Sequence, residues 1–177
     1  MAAAEPGDVA GRSKSVSRPA VTRAGLVSAS AARAADAAVA AMYTTHYRSL
    51  VGLAVLLVRD GNADTAQKVV QDSFVALHRN WRGLADRDGS DDRAVLYLWQ
   101  LVLTRSRSAG RHAAPADGVL AAMHALPPRQ REAVVLQHYA GLSAAQTAQM
   151  LGISADAVQR HTARAMSSLQ GVLASEP

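Results

Sequence analysis

The chain has 177 residues, of which 49% are hydrophobic and only 4% aromatic, and its formal net charge is +5. This length suits one ordinary domain or two small ones. The absence of cysteine excludes disulfides, thiolate metal sites and cysteine nucleophiles. Alanine-rich sequence with few aromatic residues favours helices over strands, so we predict an all-α fold. The excess of positive charge is compatible with a polyanionic partner.

The N-terminal residues 1–32 are rich in alanine, serine, glycine and arginine and show little periodicity. This composition predicts a disordered tail. No apolar run approaches the roughly 20 residues that a transmembrane helix needs. The tail also lacks the apolar core of a secretory signal. We therefore expect a cytoplasmic protein that has no membrane partner.

A first helical module is predicted over residues 33–109. Apolar residues recur at three- and four-residue steps along its first helix, which ends at the tetrapeptide 59–62, Arg-Asp-Gly-Asn. A second helix is expected over 63–81 and a third over 92–109, with the polar loop 82–91 between them. Residues 110–118 are predicted to form a short linker to a second module, 119–174.

The second module contains the sequence pattern of a helix-turn-helix. Ala148 is small where two helices would cross, Gly152 suits a tight turn that needs a positive φ, and Val158 is apolar where the second helix packs back. Ser154 is predicted to cap that second helix. A plain helical hairpin is the alternative for the turn taken alone.

The other helix starts of this module carry signals of their own. Pro128 fits the first position of a helix, because its missing N–H costs nothing there. Ser143 and Gln146 resemble a capping box, and Gly141 fits the position that ends the preceding helix. Three capped helices in this order favour DNA binding over the hairpin.

Four segments together resemble a known family. They are HYRSLVGLAVLLVRD (46–60), VVQDSFVALHRNW (69–81), YLWQLVLTRSRSAGRH (97–112) and the helix-turn-helix that follows LPPRQREAVVL (126–136). In this order they resemble the extracytoplasmic-function (ECF) class of bacterial sigma-70 factors, in particular the short actinobacterial type. The resemblance covers about residues 41–170, which is nearly everything except the tail.

The resemblance implies that the first module is like sigma region 2. Its second helix would dock on the β′ coiled coil of the RNA polymerase core through Gln67, Lys68, Gln71 and Asp72. From spacing alone, Gln71 and Asp72 are equally compatible with ordinary solvated positions. The third helix would capture and melt the −10 element of the promoter. The residues expected to do so are Trp99, Gln100, Thr104, Arg105, Arg107 and Arg111, which supply a stacking surface and phosphate-neutralising charge.

The second module is, by the same resemblance, like sigma region 4. It would read the −35 element in double-stranded promoter DNA and pack on the β flap of the polymerase. The recognition helix carries the expected contacts Ala155, Asp156, Gln159, Arg160 and Arg164. For Asp156, near the helix start, the alternative is a carboxylate that only stabilises the helix dipole. Arg to guanine and Gln to adenine are the geometrically natural pairs in a major groove. Arg129 and Arg131, near the start of an earlier helix, are predicted to contact phosphates; the alternative is that they form an ordinary solvated helix end.

Several positions depart from the family pattern. Gln67 and Lys68 stand where the family usually has acidic residues, Gln100 where it has Arg, and Thr104 where it has Asn. Lys is also frequent at the position of Gln159. These departures keep a second hypothesis open, namely a helix-turn-helix regulator that derives from a sigma factor but does not itself initiate transcription.

An enzymatic function is not expected. The six histidines show no metal-ligand spacing with each other or with acids, and the chain has neither a glycine-rich phosphate loop nor a nucleophile elbow. We therefore predict no catalytic residue, metal or cofactor. The family is often held inactive by an anti-sigma factor, which makes such a protein a further expected partner.

Overall fold

The structure is a computed structural model and describes residues 23–84, 92–110 and 118–174. These residues form helices and connecting turns, with no strand in the three described ranges, which confirms the predicted all-α fold. In chain order the helices are α1 (Arg23–Leu57), α2 (Ala63–Leu84), α3 (Asp92–Ser108), α4 (Gly118–Ala125), α5 (Pro128–Val134), α6 (Ala144–Leu151) and α7 (Ala155–Leu173). A π-helical turn, Val135–Tyr139, continues directly from α5.

The first module packs α1, α2 and α3 against one another. Its core includes the fully buried side chains of Leu50, Leu53, Val70, Leu77 and Leu98, which come from all three helices. The breaks between helices follow the predicted signals. Gly61 adopts a φ of 57°, and the side chain of Asn62 accepts a hydrogen bond from the Asp64 backbone N–H at 2.7 Å.

Helix α1 begins at Arg23 and therefore includes the last part of the segment 1–32 that the composition predicts to be a disordered tail. Residues 23–32 are rich in alanine and contain no proline, so the helix extends beyond its amphipathic part in spite of Gly25. The expectation for residues 1–22 lies outside the described residues. The same holds for residues 111–117, which include most of the predicted linker.

The second module consists of α4 to α7, and its helix starts use the predicted caps. Pro128 stands at the start of α5. The capping box is complete, since Ser143 Oγ accepts from the Gln146 N–H at 3.2 Å and Gln146 Oε1 accepts from the Ser143 N–H at 2.9 Å. Ser154 Oγ caps α7 by accepting from the Ala157 N–H at 3.2 Å.

The two modules touch each other. Helix α1 packs against α4 and against the π-helical turn, so the first and second modules share a contact surface. None of the helices in the described ranges has the length and apolar character needed to cross a bilayer. In the same ranges, no group of three or more His, Asp or Glu side chains is arranged to hold a metal ion.

Candidate nucleic-acid interface

The turn between α6 and α7 has the geometry that its sequence predicts. Gly152 ends α6 in the left-handed region, with φ 66° and ψ 37°. Ala148 is 8% exposed at the crossing of the two helices, and Val158 is fully buried where α7 packs back. The bond from the Ile153 N–H to the Ala148 carbonyl, at 3.1 Å, closes the corner. Helix α7 is thus held at a fixed angle to α6.

The outward face of α7 carries all five side chains that we expect to read DNA. Ala155, Asp156, Gln159, Arg160 and Arg164 are exposed. On the opposite side, Val158 and Ala165 are fully buried. Because residues three and four apart share a helix face, the exposed residues form one contiguous strip. Arg160 and Arg164 form no ion pair within the described part of the chain, which leaves both guanidinium groups directed to solvent.

The guanidinium groups of Arg129 and Arg131, the two predicted phosphate contacts, both form hydrogen bonds within the protein. Arg129 Nη1 donates to Glu132 Oε2 at 3.2 Å and to the Leu151 carbonyl at 3.3 Å, so it ties α5 to the end of α6. Arg131 is half-buried and directs Nη1 to Nδ1 and to the carbonyl of His124, at 3.1 and 3.3 Å. Burial first, and then the nearby positive charge of Arg131, lower the pKa of His124. Phosphate binding stays a prediction for Arg129, whose side chain is 46% exposed.

The basic end of α3 is also engaged in internal contacts. Arg105 Nη1 donates to Ser73 Oγ of α2 at 3.2 Å. Arg107 makes a two-bond fork with Glu132 of α5, with Nε to Oε1 at 2.6 Å and Nη2 to Oε2 at 3.1 Å. The expectation for Arg111 lies outside the described residues. In this arrangement, the predicted −10 arginines therefore contribute to the packing of the protein itself.

The remaining −10 candidates lie on different sides of α3. Gln100 and Thr104 are exposed, whereas Trp99 is partly buried against the core. Tyr97 is also partly buried and accepts a hydrogen bond from Asn80 Nδ2 at 3.1 Å. Tyr97 and Trp99 are thus both packed to some degree, which leaves only part of the Trp99 ring for stacking.

The predicted polymerase-docking residues lie on the solvent side of α2. Gln67, Lys68, Gln71 and Asp72 are exposed, while Val69 and Val70 are buried. Lys68 Nζ pairs with Asp72 Oδ2 at 3.4 Å, one turn along the helix. An exposed pair of this kind contributes little to stability, so either side chain is free to exchange its partner.

Glu132 is the important residue that sequence reasoning missed. Its side chain is only 5% exposed, and it binds one arginine from each module. The motif LPPRQREAVVL indicates a helix start there but gives no sign that this acid is buried. Only the contact between sequence-distant helices makes it so. Arg59 belongs to the same region, since its Nε donates to the Arg107 carbonyl at 3.0 Å.

Comparisons with known proteins agree with this geometry. Residues 117–169 match the family model described as "Sigma-70, region 4", which covers the whole helix-turn-helix. The solved structure of CnrH, an ECF sigma factor in complex with the cytosolic domain of CnrY, matches with a TM-score of 0.66 and 26% sequence identity. That match spans 86% of this chain and 97% of the CnrH chain, and thus both modules. Together, the two matches support the identification of this chain as an ECF sigma factor.

For this sigma factor, the comparisons support the DNA-binding helix-turn-helix as its region 4. No match was found among curated protein sequences. The short actinobacterial type of ECF factor stays a prediction.

Proposed function

We propose that this sigma factor binds core RNA polymerase and directs it to a selected set of promoters, where it initiates transcription. The observation that carries the proposal is the similarity to CnrH across both modules, because docking and promoter recognition need the two together. The exposed strip on α7 would read the −35 element in a major groove. The third helix would engage the −10 element. A role at the polymerase implies a cytoplasmic protein.

The docking surface is the exposed face of α2 that carries Gln67, Lys68, Gln71 and Asp72. We assign it to the β′ coiled coil, and the second module to the β flap. The structural relative CnrH is seen in complex with the cytosolic domain of CnrY. By that likeness, we propose that an anti-sigma factor is a further partner of this chain.

A second candidate function is a DNA-binding regulator that does not initiate. The observation that favours it is that the exposed docking face of α2 carries neutral Gln67 and positive Lys68, where the family usually has acidic residues. Such a protein would bind promoter DNA through α7 without recruiting the polymerase.

The test is reconstitution with core polymerase, followed by run-off transcription from genomic promoters. We expect binding to the core at submicromolar concentration and promoter-dependent transcripts. Asp72→Arg should weaken core binding and leave duplex DNA binding by α7 unchanged. Asp64→Asn, an exposed acid at the start of the same helix, is the matched control and should change neither property. No core binding at micromolar concentration would reject the sigma function and leave the regulator.

A further inference from the structure

The contact between the two modules centres on one ion pair, which we call the Arg107–Glu132 latch. Arg107 comes from the end of α3 in the first module, and Glu132 from α5 in the second. The guanidinium and the carboxylate meet through two parallel hydrogen bonds of 2.6 and 3.1 Å. A fork of this kind is among the strongest charge-assisted contacts that proteins make.

The burial of Glu132 makes this pair a determinant of the module arrangement. The carboxylate is 5% exposed, whereas Arg107 is 39% exposed. A carboxylate that is withdrawn from water to this degree needs charged partners. Arg129 supplies one bond from the same helix, at 3.2 Å. The other two bonds come from Arg107, so separation of the modules deprives Glu132 of most of its compensation.

A second contact supports the same arrangement. Tyr139, at the end of the π-helical turn, lies directly over Gly52 of α1, where an added Cβ would come within 1.9 Å of the phenolic oxygen. Nearby, Arg59 Nε holds the Arg107 carbonyl at 3.0 Å, which fixes the end of α3 beside the α1–α2 corner. The Arg107–Glu132 latch and the Tyr139–Gly52 contact are therefore parts of one close-packed interface between the modules.

The latch uses a group that promoter binding also needs. A carboxylate and a phosphate bind the same edge of a guanidinium in the same two-bond geometry. Arg107 is one of the residues that we expect to neutralise −10 phosphates. In addition, Gln100 and Leu96 of α3 line a cavity of about 270 Å³ together with Gln146 and Gln149 of α6, so part of the predicted melting face is turned toward the helix-turn-helix.

We propose that Glu132 acts as an internal phosphate mimic: it occupies Arg107 in the free protein, holds the modules closed, and is displaced before −10 DNA binds. The inference rests on the proposed −10 role of α3, and it adds a device that keeps the free chain from binding DNA through that face. In the open form, Glu132 keeps Arg129 as its partner. Two discrete arrangements of one ion network provide the two states that such a switch requires.

The first arm of the test measures the separation of the modules without DNA. Since the chain has no cysteine, labels can be introduced cleanly through Arg79→Cys on α2 and Ser167→Cys on α7, both exposed positions. We expect one short distance for the parent protein. Arg107→Glu replaces attraction by repulsion and should lengthen the distance, and the double variant Arg107→Glu/Glu132→Arg should restore it. Glu132→Gln should give a mixture of closed and open molecules.

The second arm measures binding of a fluorescein-labelled single-stranded DNA of mixed sequence. Glu132→Gln should bind it about 5- to 150-fold more tightly than the parent, which is the usual range of coupling between two sites. Adding Arg107→Ala to Glu132→Gln should abolish this gain. Asp64→Asn, which removes an exposed acid outside the contact surface, is the control for the change in net charge and should bind as the parent does.

The two arms separate failure of the latch from failure of the sigma function. Equal distances in the parent, Arg107→Glu and the restored double variant would overturn the latch, whatever the polymerase assay shows. Opening without tighter single-strand binding would overturn the phosphate-mimic role. Circular dichroism identifies any variant that has not folded. If Glu132→Gln does not fold, the comparison of Arg107→Glu with the double variant Arg107→Glu/Glu132→Arg still tests the latch.

Discussion

Arginine side chains have two different roles in this protein, one in packing and one at the surface. Carboxylates are almost never fully buried unless they are paired, and Glu132 is paired with Arg107 and Arg129. Arg160 and Arg164, in contrast, keep their charge in solvent on the outer face of α7. The same side chain is thus structural between the modules and available for DNA on the recognition helix.

The two exposed arginines of α7 should have separable effects on duplex binding. Arg160→Ala should cost about 1–3 kcal/mol on the preferred sequence and relax the preference at one base pair, because a base-edge contact is lost. Arg164→Ala should weaken binding equally across sequences and reduce the slope of the salt dependence by about 1, as expected for a phosphate contact. Fluorescence anisotropy at several salt concentrations measures both, on duplexes that the parent protein selects from a random pool. Identical base preferences in parent and Arg160→Ala would contradict the base-reading role.

Stability should fall in mild acid because of His124. Burial and the neighbouring Arg131 lower its pKa in the folded protein below the ordinary value of 6.5. Below pH 6.5 the unfolded chain therefore takes up the proton more readily, and the free energy of unfolding decreases as the pH falls further. Above pH 6.5 the contribution of His124 to the free energy of unfolding is constant.

Urea denaturation at pH 7.5 and at pH 5.5 checks this expectation. His124→Gln should reduce the difference between the two free energies of unfolding. His138→Gln, which replaces an exposed histidine of the π-helical turn, is the control and should leave the difference as it is in the parent. If the difference between the two free energies of unfolding is the same in His124→Gln as in the parent, His124 is not the cause of the acid sensitivity.

At the scale of elements, the π-helical turn explains why the Tyr139 side chain points away from the core of its own module. The bond from the Ala140 N–H to the Val135 carbonyl, at 3.0 Å, spans five residues instead of four. The wider turn rotates the end of the segment, so Leu136 stays buried while Tyr139 is 47% exposed. Tyr139 thereby reaches α1 of the other module instead of its own core.

The helix-turn-helix corner allows a matched comparison of two glycines. Gly152 has a φ of 66° and open space at its Cβ position, so Gly152→Ala should cost about 1–2 kcal/mol through backbone strain alone. Gly171 lies inside α7, also with open space and without a positive φ. Gly171→Ala should stabilise the protein by about 0.5–1 kcal/mol. Urea denaturation measures both, and a destabilising effect of equal size in the two variants would contradict the argument.

At the scale of the whole molecule, two small modules share a surface, and their buried apolar side chains form one continuous cluster. The surface combines the buried ion pair with the close approach of Tyr139 to Gly52. A small module buries a limited fraction of its surface, so contact with a neighbour adds burial that neither module achieves alone. The closed form is expected to be the more stable state of the free sigma factor.

The Tyr139–Gly52 contact provides a way to open the modules without altering any charge. Gly52→Ala would bring a methyl group against the tyrosine ring and should lengthen the distance between labels on α2 and α7. Gly83→Ala in α2 meets nothing within 4 Å and should leave the distance unchanged. The label pair described for the latch serves for this measurement. Equal distances in Gly52→Ala and the parent would show that the tyrosine yields without separating the modules.

Local signals account for most of what could be predicted. Glycine, serine and proline set the helix boundaries around α6 and α7, because capping and positive φ depend on residues close in the chain. The exposed strip on α7 follows from helical spacing. The start of α1 at Arg23 could not be predicted, because its first turns carry little amphipathic pattern and continue the helix by propensity.

The amino-acid sequence by itself determined the all-α class, the capped helix-turn-helix and the face of α7 that meets solvent, since each depends on periodicity and on neighbours a few residues away. Only the tertiary structure decided that Arg107 is paired with Glu132 and that Tyr139 lies over Gly52. These contacts join residues 25 positions apart or more, across a linker. Burial of a charge depends on such long-range packing, and no local pattern in the chain encodes it.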